Sequence, residues 1–478
     1  MKIFIALILG VLSFTNIHAQ EEVFSFLQDD QTTFNRKKDG FSFSNNLTGE
    51  LAIVFIDREH VFANLFDKDF NLEGTVTGYA QKEKFSNLLG YKINNRKYVL
   101  LSSNSSMKKF TVQILEFDTG NTFMQELDID LGKEKFLETI HYKNDLFIIT
   151  ATKKNELVLR KLSESLNFEE IKRFTINVEK RNERFFFFDL LGKATSNIVK
   201  VDNRVPNTLE QTAKDNKLYQ IKNKVYVTIE SDKELLTTLH IVDLESLTLT
   251  TKTYPYPKGE IGDFKVFNSF LLEDKIIQLG CSYNEMKLVI KNLDNSIVKT
   301  HYLEKDVPIA IKNSPIIQQG PTTLGFKSRR EMEETSKYLK KISSGKLGVT
   351  AYRNGDTYSF TIGGYKLVSS GGGMMMSGGG FGATSIQTGG GAVFVPAYNP
   401  TFVSYNNSSS TKSTYFNTTF DEDFNYVEKE AEANIFERIK EFKKDIKYET
   451  AEDVFFHQDD LFFGYYNTKE KKYHLYKM

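Results

Sequence analysis

The chain has 478 residues, of which 40% are hydrophobic, and its 62 Lys and Arg are balanced by 62 Asp and Glu. A chain of this length can bury a large core, either in two or three ordinary domains or in one repeat domain. Because the formal net charge is zero, no overall positive field attracts nucleic acid, and we expect no nucleic-acid partner. The 40 Phe and 23 Tyr, with no Trp, favour β-structure.

The N-terminus predicts a secretory signal peptide over residues 1–19. Lys2 supplies a positive charge, an apolar stretch runs from Ile3 to Phe14, and a polar segment ends at Ala19 before Gln20. The apolar stretch is too short to cross a bilayer, and no later stretch reaches 18 apolar residues, so we expect no transmembrane span in the mature chain. Together with the Lys-, Asn-, Ile- and Phe-rich composition, this resembles a periplasmic, outer-surface or secreted protein of an AT-rich Gram-negative bacterium.

Strand hairpins then recur along the chain. In the first, the apolar run 51–56 is turned by Asp57-Arg58-Glu59 and returns at 61–66. Further pairs of apolar runs of the same kind lie at 98–102 and 110–117, 146–151 and 157–162, 225–229 and 235–242, and 276–281 and 287–293. A second turn and a weaker strand follow several of these pairs, as at 123–127 and 297–303.

This pattern of three or four short antiparallel strands in each repeat resembles the blades of β-propellers. We therefore predict an all-β propeller over residues 20–478 with about seven blades. The count stays open between six and eight, because 185–201 fits either a further blade or a long connection. The absence of Trp excludes the WD-type and Asp-box-type propellers. Known propellers include scaffolds, carbohydrate binders and hydrolases, so the resemblance implies no single function.

The end of the chain predicts how the ring closes. Three strands at 454–456, 461–466 and 473–476 make a blade that lacks its outer strand, and in a closed propeller the first and last segments can share one blade. Either 23–27 or 41–47 is expected to complete it and to remove the open edges. Two helices are also predicted, a short surface helix within 329–342 and a longer one within 428–447 whose apolar residues share one face.

A hexapeptide recurs at a great distance, as FDKDFN at 66–71 and FDEDFN at 420–425. It contains two sets of residues with the D-x-D-x-N spacing of a calcium loop: Asp67, Asp69 and Asn71, and Asp421, Asp423 and Asn425. The glycine expected at the sixth position is replaced by Leu72 and Tyr426, and no glutamate follows at the twelfth. We therefore interpret the aspartates as caps of tight turns, with calcium as the alternative.

Residues 363–411 predict a flexible insertion, since 363–391 alone holds 12 of the 30 glycines, and glycine loses most entropy on ordering. No phosphate-binding motif is present in it. If the insertion contacts a partner or a membrane surface, its apolar side chains are the candidates for that contact: Met374, Met375, Met376 and Phe381.

Local catalytic signatures are missing from the sequence. The histidines are scattered, there is no HExxH and no GxSxG, and the single cysteine, Cys281, lies in an apolar run typical of a buried side chain. We expect no cofactor. The first hypothesis is an exported scaffold that binds a protein, a glycan or the cell envelope. The alternative is a hydrolase, with at least three ionisable side chains gathered at one mouth of the propeller axis.

Overall fold

The computed structural model describes residues 21–28, 38–81, 84–129, 131–176, 198–323, 326–367, 396–406 and 411–478. Within these residues, strands form seven sheets of four or five strands each, all antiparallel except for one short pairing. The sheets follow one another along the chain, and the last sheet contains both the first and the last strand. This is a seven-bladed β-propeller, as predicted.

Blades 1 to 3 each have four strands. Their bounds are β2 (Asp39–Ser44), β3 (Leu51–Ile56), β4 (His60–Phe66) and β5 (Leu72–Tyr79); β6 (Asn87–Asn94), β7 (Lys97–Ser103), β8 (Phe110–Glu116) and β9 (Asn121–Leu127); and β10 (Lys135–Tyr142), β11 (Asp145–Ala151), β12 (Glu156–Leu162) and β13 (Phe168–Thr175).

Blades 4 and 5 are built from β14 (Val199–Val201), β15 (Asn216–Ile221), β16 (Lys224–Ser231), β17 (Leu236–Asp243) and β18 (Thr248–Pro255), and from β19 (Val266–Leu272), β20 (Lys275–Cys281), β21 (Glu285–Asn292) and β22 (Ile297–Glu304). Blade 6 contains β23 (Ile316–Thr323), β24 (Phe326–Met332), β25 (Lys346–Asn354), β26 (Thr357–Leu367) and β27 (Thr411–Phe420). Blade 7 contains β28 (Glu449–His457), β29 (Asp460–Asn467), β30 (Lys472–Lys477) and β1 (Glu21–Leu27).

The helices are α1 (Leu209–Thr212), α2 (Thr335–Ile342), α3 (Pro400–Asn406) and α4 (Ile435–Phe442), followed by a 3₁₀ turn at Lys443–Asp445. Helix α4 begins at a capping box, in which Asn434 Oδ1 accepts from the backbone N–H of Glu437 while the Glu437 side chain accepts from that of Asn434. It occupies the middle of the predicted range 428–447. No described helix is both long and apolar enough to span a bilayer.

Burial explains why the inner strands could be predicted from the sequence. Strand β3, with the sequence LAIVFI, is buried along almost its whole length because neighbouring blades pack on both of its faces. The outermost strand β13, with the sequence FEEIKRFT, is mostly exposed and charged. Charges on such an outer strand discourage pairing with another chain.

The ring is closed by β1, which we call the clasp. It pairs antiparallel with β30, and Gln28 N donates to Lys471 O at 2.9 Å just beyond it. The ring centroids of Phe24 and Phe26 each lie 4.9 Å from that of Phe66 in blade 1, so the clasp also joins blades 7 and 1. Of the two segments predicted as alternatives to complete the last blade, 23–27 does so, whereas 41–47 contains most of the inner strand of blade 1.

Blades 4 and 6 depart from the simple pattern. Strand β14 pairs parallel with β15 on the axial side of blade 4, so 198–201 does not belong to an eighth blade; the run Phe185–Phe188 lies outside the described residues. In blade 6 the chain enters through the outer strands β23 and β24 and crosses by α2 to the inner strand β25. The helix predicted at 329–342 is therefore correct only for its second half, since β24 pairs with β23. The three side chains that anchor α2 are fully buried: Tyr338, Leu339 and Ile342.

Candidate functional site

The two faces of the propeller differ in what they carry. Because successive strands are antiparallel, the turns from first to second strands lie on one face, and the blade-to-blade connections lie on the other. We call these the mouth face and the plug face. Strand β26 ends and strand β27 begins on the plug face, and residues 396–406 lie between them in the chain.

Residues 396–406, which we call the plug, lie against the inner strands around the axis. Three consecutive residues bond backbone carbonyls in three different blades: Ala397 N donates to Leu88 O (3.0 Å), Tyr398 Oη to Ser42 O (3.2 Å) and Asn399 Nδ2 to Val454 O (3.0 Å). The aromatic side chains of α3 join an apolar cluster with α4 and blade 7: Phe402, Tyr405, Phe436, Ile439, Val454 and Phe463.

A polar network fixes the plug to the segment between β14 and β15 of blade 4. Thr401 Oγ1 donates to Asp202 Oδ2 at 2.6 Å, and Ser404 Oγ donates to Asn207 Oδ1 at 2.9 Å. The Arg204 guanidinium donates to both carboxylate oxygens of Asp202. Although burial opposes ionisation, this guanidinium holds the pKa of Asp202 below its ordinary value. The plug and the residues after β14 are therefore held together by buried hydrogen bonds inside the ring of inner strands.

Two parts of the range 363–411, which was predicted as a flexible insertion, belong to the folded structure. Its first residues, 363–367, continue β26, and its later residues 396–406 form the plug. A Cβ on Gly363 or Gly364 would collide with the backbone of an adjacent strand, so these two glycines permit close strand approach. The contact candidates Met374, Met375, Met376 and Phe381 lie outside the described residues, and their role remains a prediction.

Asp453 lies on the inner strand of blade 7, is 1% exposed, and accepts a bond of 3.3 Å from Asn399 Nδ2 of the plug. Burial raises the pKa of this carboxyl from 3.8 to about 7. The folded state therefore keeps a proton that the unfolded state releases, and stability falls as pH rises between about 4 and 7.

Asp453→Asn should remove this slope and stabilise the protein at pH 8 by on the order of 3 kcal/mol, because a neutral amide replaces a buried charge. Urea unfolding of both proteins at pH 4.5 and pH 8 measures the effect. An unchanged pH dependence in the variant would assign the slope to other groups.

The mouth face carries an open pocket of about 400 Å³, which we call the mouth pocket. Its lining comes from turns and strand ends of blades 1, 3 and 4 and consists of Asn46, Leu47, His141, Tyr142, Lys143, Asn144, Gln220, Lys222, Asn223 and Glu245. Lys143, Asn144 and Lys222 have positive φ, as the tight turns between paired strands require. The turn geometry thus presents these side chains at the axis.

Hydrogen bonds hold the polar groups of the mouth pocket in place. Glu245 Oε1 accepts from Tyr142 Oη at 2.5 Å and from Lys143 Nζ at 2.7 Å, and bonds from these two side chains lower the pKa of Glu245. Three carboxamides each donate an N–H to a neighbouring group: Asn144 to Asn45 Oδ1 (2.7 Å), Gln220 to His141 O (2.5 Å) and Asn223 to Asp243 Oδ2 (3.2 Å). Their carbonyl oxygens accept no hydrogen bond from the described residues, and are therefore available as acceptors for a ligand.

The floor of the mouth pocket rests on the plug. The His141 ring stacks on Tyr91 with centroids 4.0 Å apart, and Tyr91 meets Tyr398 of the plug edge-on at 5.7 Å. Burial, assisted by Lys200, lowers the pKa of His141 to about 3, so the ring is neutral at physiological pH. Within the described chain, His141 Nε2 is buried without a hydrogen-bond partner.

Five ionisable side chains lie in the lining of this pocket: His141, Tyr142, Lys143, Lys222 and Glu245. The hydrolase alternative requires such a cluster, but Glu245 is the one carboxylate in the lining, and its lowered pKa makes it a poor general acid. The described residues also contain no group of three His, Cys, Asp or Glu side chains placed to hold a metal ion.

The hexapeptide turns lie away from this pocket, in blades 1 and 6. In each turn one carboxylate caps the backbone: Asp67 Oδ1 accepts from the N–H groups of Asp69 and Asn71, and Asp421 Oδ1 from those of Asp423 and Asn425. The fifth residue, Phe70 or Phe424, has positive φ and packs on Phe24 or Tyr358 with centroids 4.7 and 4.9 Å apart. This geometry gives the repeat a structural role, and the calcium assignment remains untested.

The sequence contained a signal for the mouth pocket that was not recognised. Lys-Asn dipeptides stand at 143–144 and 222–223, each between two apolar runs. Aligning the hairpins on their first turns would have placed both dipeptides at the same position in blades 3 and 4, and therefore on the same face. No local sequence pattern of this kind indicates that Asn46 and Glu245 lie beside these two dipeptides.

No protein-family model matches the sequence, and no curated protein matches it. Among solved structures, the β-propeller domain of Vanderwaltozyma polyspora Nup133 is 9% identical over 95% of this chain and 97% of that chain, with a TM-score of 0.37. A DUF4221 family member from Bacteroides vulgatus is 9% identical over 93% and 98%, with a TM-score of 0.33.

A mutant of the Synechocystis apocarotenoid oxygenase is 12% identical over 53% of this chain and 58% of that chain, with a TM-score of 0.27. The chain spans about three fifths of the apocarotenoid oxygenase chains that it matches. These similarities carry no argument about function, which has to come from the site itself.

Proposed function

We propose that the protein is an exported, non-catalytic propeller scaffold that binds a glycan of the cell envelope or its surroundings in the mouth pocket. The observation that carries the proposal is the set of carboxamide oxygens on Asn144, Gln220 and Asn223 beside the aromatic side chain of Tyr142, in a pocket of about 400 Å³. The signal-peptide pattern at 1–19 supports delivery to the periplasm, the outer surface or the medium.

A sugar suits this lining for two reasons. Its hydroxyl groups donate hydrogen bonds, and the three carboxamide oxygens have acceptor capacity to spare. Its apolar ring face can lie on an aromatic ring, which Tyr142 supplies. An apolar ligand would leave the amides without partners, at a cost of about 1–3 kcal/mol for each buried group.

Binding should weaken about tenfold in Tyr142→Ala, which removes the aromatic wall and about 1.4 kcal/mol of contact energy. We would measure retention of the purified protein on immobilised envelope polysaccharides, followed by calorimetry with the fragments that bind. Tyr79→Ala is the matched control, because Tyr79 is 58% exposed on the outer strand of blade 1 and should leave binding unchanged.

Two results would overturn the proposal. Binding of an envelope protein, with no sugar bound, would make the mouth pocket a peptide site. Release of reducing sugar ends that is lost in Glu245→Gln would support the hydrolase, since Glu245 is the carboxylate of the pocket.

A further inference from the structure

The charges in the mouth pocket are not balanced. The Lys143 ammonium is neutralised by Glu245, to which it donates at 2.7 Å. Lys222 is exposed on the turn between β15 and β16 and forms no ion pair with any described residue. Since His141 is neutral, the lining carries one uncompensated positive charge, on Lys222.

This charge lies next to the carboxamide oxygens that can accept hydrogen bonds from sugar hydroxyl groups. Gln220, Lys222 and Asn223 lie within four residues of one hairpin, so the acceptor oxygens and the ammonium have a fixed order along the rim. A ligand that fills the pocket can bring hydroxyl groups to Gln220 and Asn223 and an acidic group to Lys222. A neutral sugar would leave the ammonium facing water, whereas an acidic one would pair with it.

Resting on the proposed function, we infer that the mouth pocket selects anionic sugar units, which carry a carboxylate or sulfate beside their hydroxyls, and that Lys222 is the residue that determines this specificity. Leu47, 67% exposed at the opposite rim, offers the unsubstituted edge of the ring an apolar contact. The site is thus polar on one side, apolar on the other, and positively charged at one point.

The test is calorimetry with three sets of oligomers of the same length: glucose oligomers, glucuronate-containing oligomers, and glucose oligomers sulfated at the 6-hydroxyl groups. We expect the acidic ligands to bind about five- to tenfold more tightly than the neutral one at low salt, and the difference to shrink at 0.5 M NaCl, as expected for an exposed charge. The carboxylate and sulfate arms show which acidic group is preferred.

Lys222→Gln should abolish this preference, so that the acidic and neutral oligomers of the same length bind the variant with similar affinity. Lys305→Gln is the control, since Lys305 is exposed in the connection between blades 5 and 6 on the plug face and should retain the preference. Equal affinity of the wild type for neutral and acidic oligomers, or a preference that survives in Lys222→Gln, overturns the inference but leaves glycan binding intact. If no sugar binds in any arm and no envelope polysaccharide retains the protein, the proposed function and the inference both fail.

Discussion

A chain that begins at Gln28 rather than Gln20 should lose on the order of 5 kcal/mol of stability and associate in solution. The clasp supplies the outer strand of blade 7, and its Phe24 and Phe26 rings pack on Phe66 of blade 1. Removing two such side chains from their contacts costs about 1.5–3 kcal/mol each, and the ladder with β30 is lost as well. The bared edge of β30 can then pair with a second molecule.

Urea unfolding and light scattering of the two chains measure both effects. A matched pair of point variants separates packing from strand pairing: Phe26→Ala should cost about 3 kcal/mol, whereas Leu27→Ala should be nearly neutral, because Leu27 is 67% exposed. Equal stability and a monomeric state of the shortened chain would show that the ring holds without its clasp.

Replacing residues 396–406 with an equally long Gly/Ser sequence should destabilise the protein even more. The replacement removes Phe402 and Tyr405 from a buried cluster, at about 3–5 kcal/mol each. It also leaves the buried Asp202 and Asn207 without Thr401 and Ser404. Because Tyr398 supports Tyr91 and His141, we expect ligand binding at the mouth pocket to weaken in any fraction that folds.

Thermal unfolding and hydrogen exchange of the inner strands measure this loss. Tyr398→Phe serves as the control, since it keeps the ring contacts and removes only the bond to Ser42 O, worth about 1 kcal/mol. A stable, protected ring after the full replacement would mean that the seven blades need no axial support, and that the plug is an accessory.

The sequence was informative wherever the structure is repetitive. Runs such as 51–56 predicted inner strands. A strand that packs on both faces is apolar at nearly every position, so it stands out in the sequence as a continuous hydrophobic run. The missing fourth strand after 473–476 predicted the clasp, since an open blade leaves an edge unpaired. Both inferences depend on local composition and on a general property of closed rings.

The parts that were missed depend on distant contacts. Tyr398 donates a hydrogen bond to Ser42 O, 356 positions away in the chain. Its sequence neighbourhood, next to a glycine-rich run, does not distinguish a buried plug from a loop. The mouth pocket joins turns from three blades, and its ionisable residues resemble those of any exposed turn when read singly. The first half of 329–342 was assigned to a helix because its charges suit a helix surface as well as an outer strand.

The pairing of β1 with β30 also determines when the ring of blades can close during synthesis. Until residues 472–477 have been synthesised, residues 21–27 have no partner strand, so the ring cannot close before that point of translation. Because β1 and β30 are antiparallel neighbours, Glu21 and Lys477 lie side by side, and a short linker could join them while the chain is cut at a turn elsewhere.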